Sequence, residues 1–309
     1  MATVAARRPA TRSRRLTRRK LMNNLVGYLF ISPWIIGFFG LTAYPMIMSL
    51  YYSFTDYNVL RPPVWVGLEN YKELFFEDDR FLVTLFNTAY YVAFSVPLGL
   101  VLGFLLALLL NQKVPGMTIF RTLYYLPVVT PAVATAVLWL WVLEPNFGLL
   151  NRALGLLGLP GPPWLASPSW SKPALILVSL WGVGGSMVIY LAGLQGIPQH
   201  LYEAAAIDGA GAWAKFWHVT VPMMSPVLFF NLIIGLIGAF QEFVLPYVMT
   251  RGGPVDSTMF YVLYLWLNAF DYFRMGYASA MAWTLFVIIL CVTLLTFKVV
   301  ARYVYYEHM

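Results

Sequence analysis

Long apolar stretches alternate with short polar connections along this chain, and six of them have the length that matters: residues 25–50, 81–110, 118–143, 173–194, 223–248 and 276–297. A helix needs about 20 apolar residues to cross the hydrocarbon core of a bilayer, so each stretch predicts one transmembrane helix. The first apolar run extends from Leu21 to Thr55 without a charge, longer than one crossing requires. Pro33 and Pro45 within it predict kinks or interfacial ends rather than two short spans. A further apolar segment, residues 257–270, is too short to cross and predicts an interfacial or re-entrant helix. If it crossed, the chain would have seven spans and the C-terminus would lie outside.

Composition points the same way. The 309 residues are 60% hydrophobic, 17% aromatic and 11% charged, with a mean hydropathy of +0.71. That is too apolar for a soluble surface and predicts an all-α polytopic membrane protein. The formal charge of +7 is local, because Arg7, Arg8, Arg12, Arg14, Arg15, Arg18, Arg19 and Lys20 supply eight of the 20 basic residues; the other twelve face 13 acidic ones. A basic tail beside the first span places the N-terminus in the cytoplasm, with membrane lipid as its partner and no nucleic acid implied. The apolar run after it exceeds the roughly 7–15 residues of a signal-peptide h-region, and no small-residue cleavage site closes it, so retention is expected. Cys291 is the single cysteine, which leaves no disulfide framework or thiolate metal cage and predicts a helix-packing residue.

Six spans return the C-terminus to the cytoplasm in a multi-pass cell-membrane protein. The connections 111–117 and 195–222 then lie inside, and 56–80, 144–172 and 250–275 outside. On this topology 13 basic and three acidic residues are inside, against seven basic and nine acidic outside. The N-terminal tail carries that bias. Arg61-Pro-Pro63, Pro160-Gly-Pro-Pro163, Ser167-Pro168 and Arg251-Gly-Gly-Pro254 give the outer connections turn chemistry, a rim rather than a separate domain.

The inner connection 198–222 is charged and rich in small residues. His200-Leu-Tyr-Glu-Ala-Ala-Ala-Ile207 is strong helix-forming sequence after Pro198, a residue suited to a first turn, with Glu203 near the N-terminal end where the helix dipole favours an anion. Ala204, Ala205 and Ala206 let a partner approach the backbone closely. Gly209 and Gly211 can take backbone angles closed to other residues, so the chain can break after Asp208 before Pro222 starts the fifth span. A short helix held between two spans is a lever: motion of whatever grips it passes to both.

Glu203, Ala204, Ala205, Asp208, Gly209, Ala210 and Pro222, in that order and spacing, resemble the EAA loop of binding-protein-dependent ABC importers, the segment through which a permease docks onto its ATPase. Residues 87–298 are similar to the core of type I importer permeases. Tyr28-Leu-Phe-Ile-Ser-Pro33, Ala43-Tyr-Pro45, Tyr124-Tyr-Leu-Pro127, Leu191-Ala-Gly-Leu-Gln195, Thr250-Arg-Gly-Gly-Pro254 and the tail Tyr303-Val-Tyr-Tyr306 resemble the carbohydrate-uptake branch, and within it the first of two paired permeases. The family often has Ile and Leu where Val219 and Val221 stand. The resemblance implies six transmembrane helices with a cytoplasmic coupling helix. It divides the chain into a basic tail (1–20), a first helix with its outer loop (21–80), a transporter core (81–298) holding the loop 198–222, and a cytoplasmic tail (299–309). The implied partners are a second homologous permease, two ATPase subunits and an extracytoplasmic binding protein that delivers a sugar. The chain has no Gly-x-x-x-x-Gly-Lys-Ser/Thr loop, and no lysine follows a glycine, so ATP and Mg are expected on the ATPase chain.

Glu242, in Gly238-Ala-Phe-Gln-Glu242, is the one acidic residue inside a predicted span. A carboxylate at the bilayer centre costs roughly 2.5–3.5 kcal/mol on insertion scales, so it should face a cavity or a polar partner; the alternative is a span end where it reaches water. The resemblance places it among sugar-contacting positions. Gln241 and Tyr190 are plausible neighbours, with Ser179, Ser186 and Thr130 as further candidates; for Tyr190, Tyr124 and Tyr125 packing or an interface belt is the competing role. Gly99-x-x-x-Gly103 predicts close helix packing.

A membrane-embedded enzyme or a secondary transporter of a small polar solute is the alternative. An enzyme would need catalytic or metal chemistry, yet His200, His218 and His308 are scattered, with no His-Glu-x-x-His and no Gly-x-Ser-x-Gly. A secondary transporter would not need the docking loop.

Overall fold

A computed structural model describes residues 18–112 and 114–305. Most of the basic tail, and Tyr306 of the C-terminal motif, lie outside the described residues. Contacts divide the chain into two units at Tyr51/Tyr52, so the outer loop 52–80 groups with the larger unit.

The first unit is helical: α1 (Arg18–Phe38) runs through a π turn (Phe39–Ala43) into α2 (Tyr44–Tyr52). Asn24–Tyr52 is one apolar helix of 29 residues, as the sequence predicts. The π turn falls immediately before Pro45, whose ring cannot donate to the ordinary ladder.

The second unit opens with a two-residue antiparallel pair, β1 (Thr55–Asp56) with β2 (Val64–Trp65), and a short α3 (Glu69–Phe76). Its mast is α4 (Asp79–Leu110), a second full-length span. Asp78 caps it, with Oδ1 accepting from the Arg80 amide at 2.9 Å. At the far end the Arg121 guanidinium donates to the Leu110 carbonyl at 2.8 Å, satisfying an orphan acceptor of the last turn.

The third predicted span is not straight. It is α5 (Met117–Val129) and α6 (Ala132–Val142), bent by 100°. The break sits at Thr130, which is extended at φ −75°, ψ 130° because Pro131 follows it. The fourth span is likewise a pair, α8 (Pro168–Ser179) and α9 (Gly184–Gln195), bent by 47°; α7 (Leu149–Leu156) precedes it. Gly184 stands at this second bend because a Cβ there would lie 2.0 Å from the Tyr124 carbonyl oxygen of α5. With each bent pair counted as one crossing, the described residues hold six spans.

After α9 come α10 (Gln199–Ile207), α11 (Ala212–Lys215), a π turn (Phe216–Thr220) and α12 (Val221–Phe240). Helix runs unbroken from Ala212 through Pro222, so the fifth span starts ten residues before that proline, and the π turn absorbs its missing donor. The same span breaks at Gln241–Phe243 before α13 (Val244–Met249), short of the straight run to 248 that the apolar pattern predicts.

The segment 257–270 does not cross. Its helix α14 (Tyr261–Trp266) and a π turn (Leu267–Asp271) are buried against α4 and α15 (Met275–Val300). Thr88 accepts from the Tyr261 amide at 2.9 Å, the Tyr261 hydroxyl donates to the Met281 carbonyl at 3.0 Å, and the hydroxyls of Tyr264 and Tyr277 both donate to Asp78. The first satisfies an orphan amide at the start of α14, and the others tie the segment and α15 together inside the protein. Cys291 on α15 is exposed rather than packed between helices.

Candidate functional site

Two features stand out, an exposed helix at one end of the bundle and a polar cavity within it. The helix is α10. It ends in a Schellman arrangement: the Gly209 amide donates to the Ala206 carbonyl at 3.1 Å and the Ala210 amide to the Ala205 carbonyl at 2.9 Å. Gly209 holds φ +78°, the left-handed conformation this stop requires. Gly211 does not need its freedom, since φ −70° and ψ 176° are open to any residue. Pro198 is the N-cap rather than a first-turn residue, and helix starts at Gln199. Glu203 therefore sits in the second turn, not at the positive end of the dipole, and accepts from the Gln199 side chain at 2.9 Å.

Glu203, Ala204, Ala206, Asp208 and Gly209 are exposed and Ala205 is half-buried. Beside them Ile207 is 88% and Trp213 75% exposed. The opposite face is anchored. Leu201 and Tyr202 pack with Phe104, Tyr190 and Met224, and Tyr202 hydrogen-bonds Thr220 of the π turn at 3.0 Å. Phe216 lies 6.1 Å, ring to ring, from Phe104, which meets Tyr190 edge-on at 5.8 Å. Packed rings thus run from the base of α10 to the cavity wall.

The cavity, of about 390 Å³, is an open groove lined by α4, α8, α9 and α12 and by Glu242. That volume is in the range of ligand pockets, about 300–1,000 Å³. Tyr190, Ser179, Ser186 and Glu242 all line it, as the sequence suggests, joined by Tyr91, Ser95 and Asn231. Gln241 turns away, exposed, with its amide on the Ile237 carbonyl, because the helix unwinds there. Thr130 is also elsewhere: the Pro131 break places it in a separate apolar hollow of about 690 Å³ with Tyr124. Tyr91, Ser95 and Asn231 went unread for lack of a periodic signal, although Asn231 is the one side-chain amide within α12.

Glu242 is held in the break between α12 and α13, where its Oε1 accepts from the Leu245 amide at 3.0 Å. The hydroxyls of Tyr190 and Ser95 are buried without a hydrogen-bond partner. An unpaired buried hydroxyl is costly, by about 1–3 kcal/mol, and both residues line the cavity. The two glycines of Gly99-x-x-x-Gly103 part company. At Gly103 a Cβ would lie 2.6 Å from Ser186 Oγ, so only glycine lets α4 and α9 approach; Gly99 has open space and lines the cavity.

A bundle of bent apolar spans, with an exposed cap-terminated helix at one end and a polar cavity at its centre, is the build of a transport permease. Residues 99–305 match the family described as the binding-protein-dependent transport system inner membrane component, and the chain belongs to that family. Among relatives, it is 43% identical to the probable ABC transporter permease protein YesP of Bacillus subtilis, over 92% of this chain and 93% of that protein. It is 33% identical to the sulfoquinovosyl glycerol transport system permease protein SmoG of Agrobacterium fabrum, over 91% and 92%. Among solved structures it resembles a chain of a bacterial ABC transporter involved in import of the acidic polysaccharide alginate, with a TM-score of 0.80 and 25% identity over 92% of this chain and 98% of that one. The protein is an ABC importer permease of the inner membrane. Its relatives are transport subunits, so the enzyme and secondary-transporter alternatives fall away.

Proposed function

We propose that this chain forms half of the path for a saccharide handed over by an extracytoplasmic binding protein, the other half coming from a second, homologous permease. The Agrobacterium relative and the alginate transporter named above handle saccharides; we carry over the saccharide and not its charge. Glu242, Tyr190, Ser179 and Ser186, with Tyr91, Ser95 and Asn231, line this half of the path. The exposed face of α10, with Glu203, Ala204, Ala205, Asp208 and Gly209, is the coupling surface for one of two ATPase subunits, which hold ATP and Mg. The termini and α10 face the cytoplasm. The observation that carries this reading is mechanical: α10 has one face free, and its other face is tied by Tyr202–Thr220 and by the Phe216–Phe104–Tyr190 rings to the cavity wall.

The test is Glu203→Lys in the reconstituted importer. The residue is exposed and bonded only locally, so the variant should insert and fold as wild type while ATPase co-purification and saccharide-stimulated hydrolysis both fall at least tenfold. Wild-type stimulation in this variant would refute the assignment of α10.

A further inference from the structure

The cavity has a charge character that its location does not explain. Its polar lining consists of the hydroxyls of Tyr91, Ser95, Ser179, Ser186 and Tyr190, the Asn231 amide and the Glu242 carboxylate; no lysine, arginine or histidine lines it. Nor is Glu242 neutralised by an ion pair: the salt bridges among the described residues are Lys72–Glu77, Arg80–Asp256 and Arg274–Glu73, all at the end of the bundle remote from α10. Its carboxylate accepts from the Leu245 amide instead, a bond that favours the ionised form.

We infer that Glu242 makes this cavity a charge filter, admitting neutral hydroxyl-rich or amine-bearing saccharides and excluding those that carry a carboxylate or sulfonate. The inference rests on the cavity being the solute path. Hydroxyl, amide and carboxylate groups all accept bonds from sugar hydroxyls. An anionic substituent finds no cation on this half of the path. Brought to about 6 Å from Glu242 at an effective dielectric of about 20, it is disfavoured about a hundred-fold relative to a neutral one.

The charge filter can be tested without knowing the sugar. In the assembled importer, exposed Cys291 is first replaced by serine and Ser186→Cys is introduced as a thiol on the cavity wall. Its reaction rate is measured with three methanethiosulfonate reagents of similar size, bearing a trimethylammonium, a hydroxyl or a sulfonate, each normalised to its rate with a free thiol. The sulfonate should react about a hundred-fold more slowly than the neutral reagent, and the cation faster than the neutral one. In the Glu242→Gln background the spread should shrink to about threefold, because glutamine keeps the Leu245 bond and loses the charge. Equal rates for cation and sulfonate, or a spread that survives Glu242→Gln, would overturn the charge filter while leaving the path intact. Failure of all three reagents to reach the thiol, in an importer that still hydrolyses ATP, would overturn the path and the filter with it.

Discussion

Gly209 offers the sharpest test of the lever, because backbone geometry alone separates its substitutions. Its φ of +78° suits glycine, and an added Cβ would meet nothing within 4 Å, so any cost comes from conformation and not from crowding. Asparagine tolerates this region and should cost a few tenths of a kcal/mol; alanine should cost about 1 kcal/mol. Proline is fixed near φ −65° and lacks the N–H that donates to Ala206. It should abolish both bonds of the helix stop, at about 0.5–1.5 kcal/mol each, and add the cost of rerouting the chain, about 3 kcal/mol in all. Because α10 has only nine residues, too few to persist without its caps and packing, that loss should disorder the docking surface. The assay is saccharide-stimulated ATP hydrolysis by the reconstituted importer, alongside ATPase co-purification. Stimulation should fall in the order Asn, Ala, Pro, slightly for the first, several-fold for the second and about a hundred-fold for the third, with membrane insertion unchanged. Proline that retains stimulation, or alanine that is worse than proline, would refute the reasoning.

Other outcomes follow from single contacts. Tyr190→Phe removes a buried hydroxyl that has no partner in the protein; thermal stability should change by less than about 0.5 kcal/mol while the KM for transport rises several-fold, and a large loss of stability would show that the hydroxyl is structural. Asn231→Ala should likewise raise KM, whereas Gln241→Ala, which faces away from the cavity, should not; transport kinetics of the pair separates lining from neighbour. Glu144, in the connection after α6, accepts from the Phe147 and Asn146 amides at 2.7 Å each, and these bonds hold its carboxyl below the usual 4.5. A lowered folded pKa means the ordering of this turn is complete above about 4.5 and is lost as pH falls through the lower folded value. Hydrogen exchange of the Asn146 and Phe147 amides should accelerate on acidification beyond the intrinsic rate, and Glu144→Gln should remove that pH dependence.

What was legible in the sequence was what depends on local chain chemistry. Apolar length set the number of candidate spans, and the first span's length and its two prolines were read as one helix, which is what folds. The alanine run and Gly209 announced a short helix with a sharp stop, because helix propensity and the left-handed region act within a few residues. Glu242 was conspicuous for its cost alone. Pro131, which breaks the third span by 100°, went unread, and Pro222, read as the start of the fifth span, sits inside a continuous helix because a π turn precedes it.

Which way each membrane helix faces was decided only by tertiary packing. A span is apolar on its lipid side and on its protein side, so no periodic contrast marks the inner face, unlike a helix at a water-exposed surface. Ser95, Tyr91 and Asn231 reach the cavity, Thr130 and Gln241 do not, and Gly99 and Gly103, one turn apart, do opposite things. The sequence by itself determined up to six apolar spans and a short helix between the fourth and the fifth. The fold determined that this helix leans, through Phe216 and Phe104, on the wall of a cavity that holds one carboxyl group, Glu242.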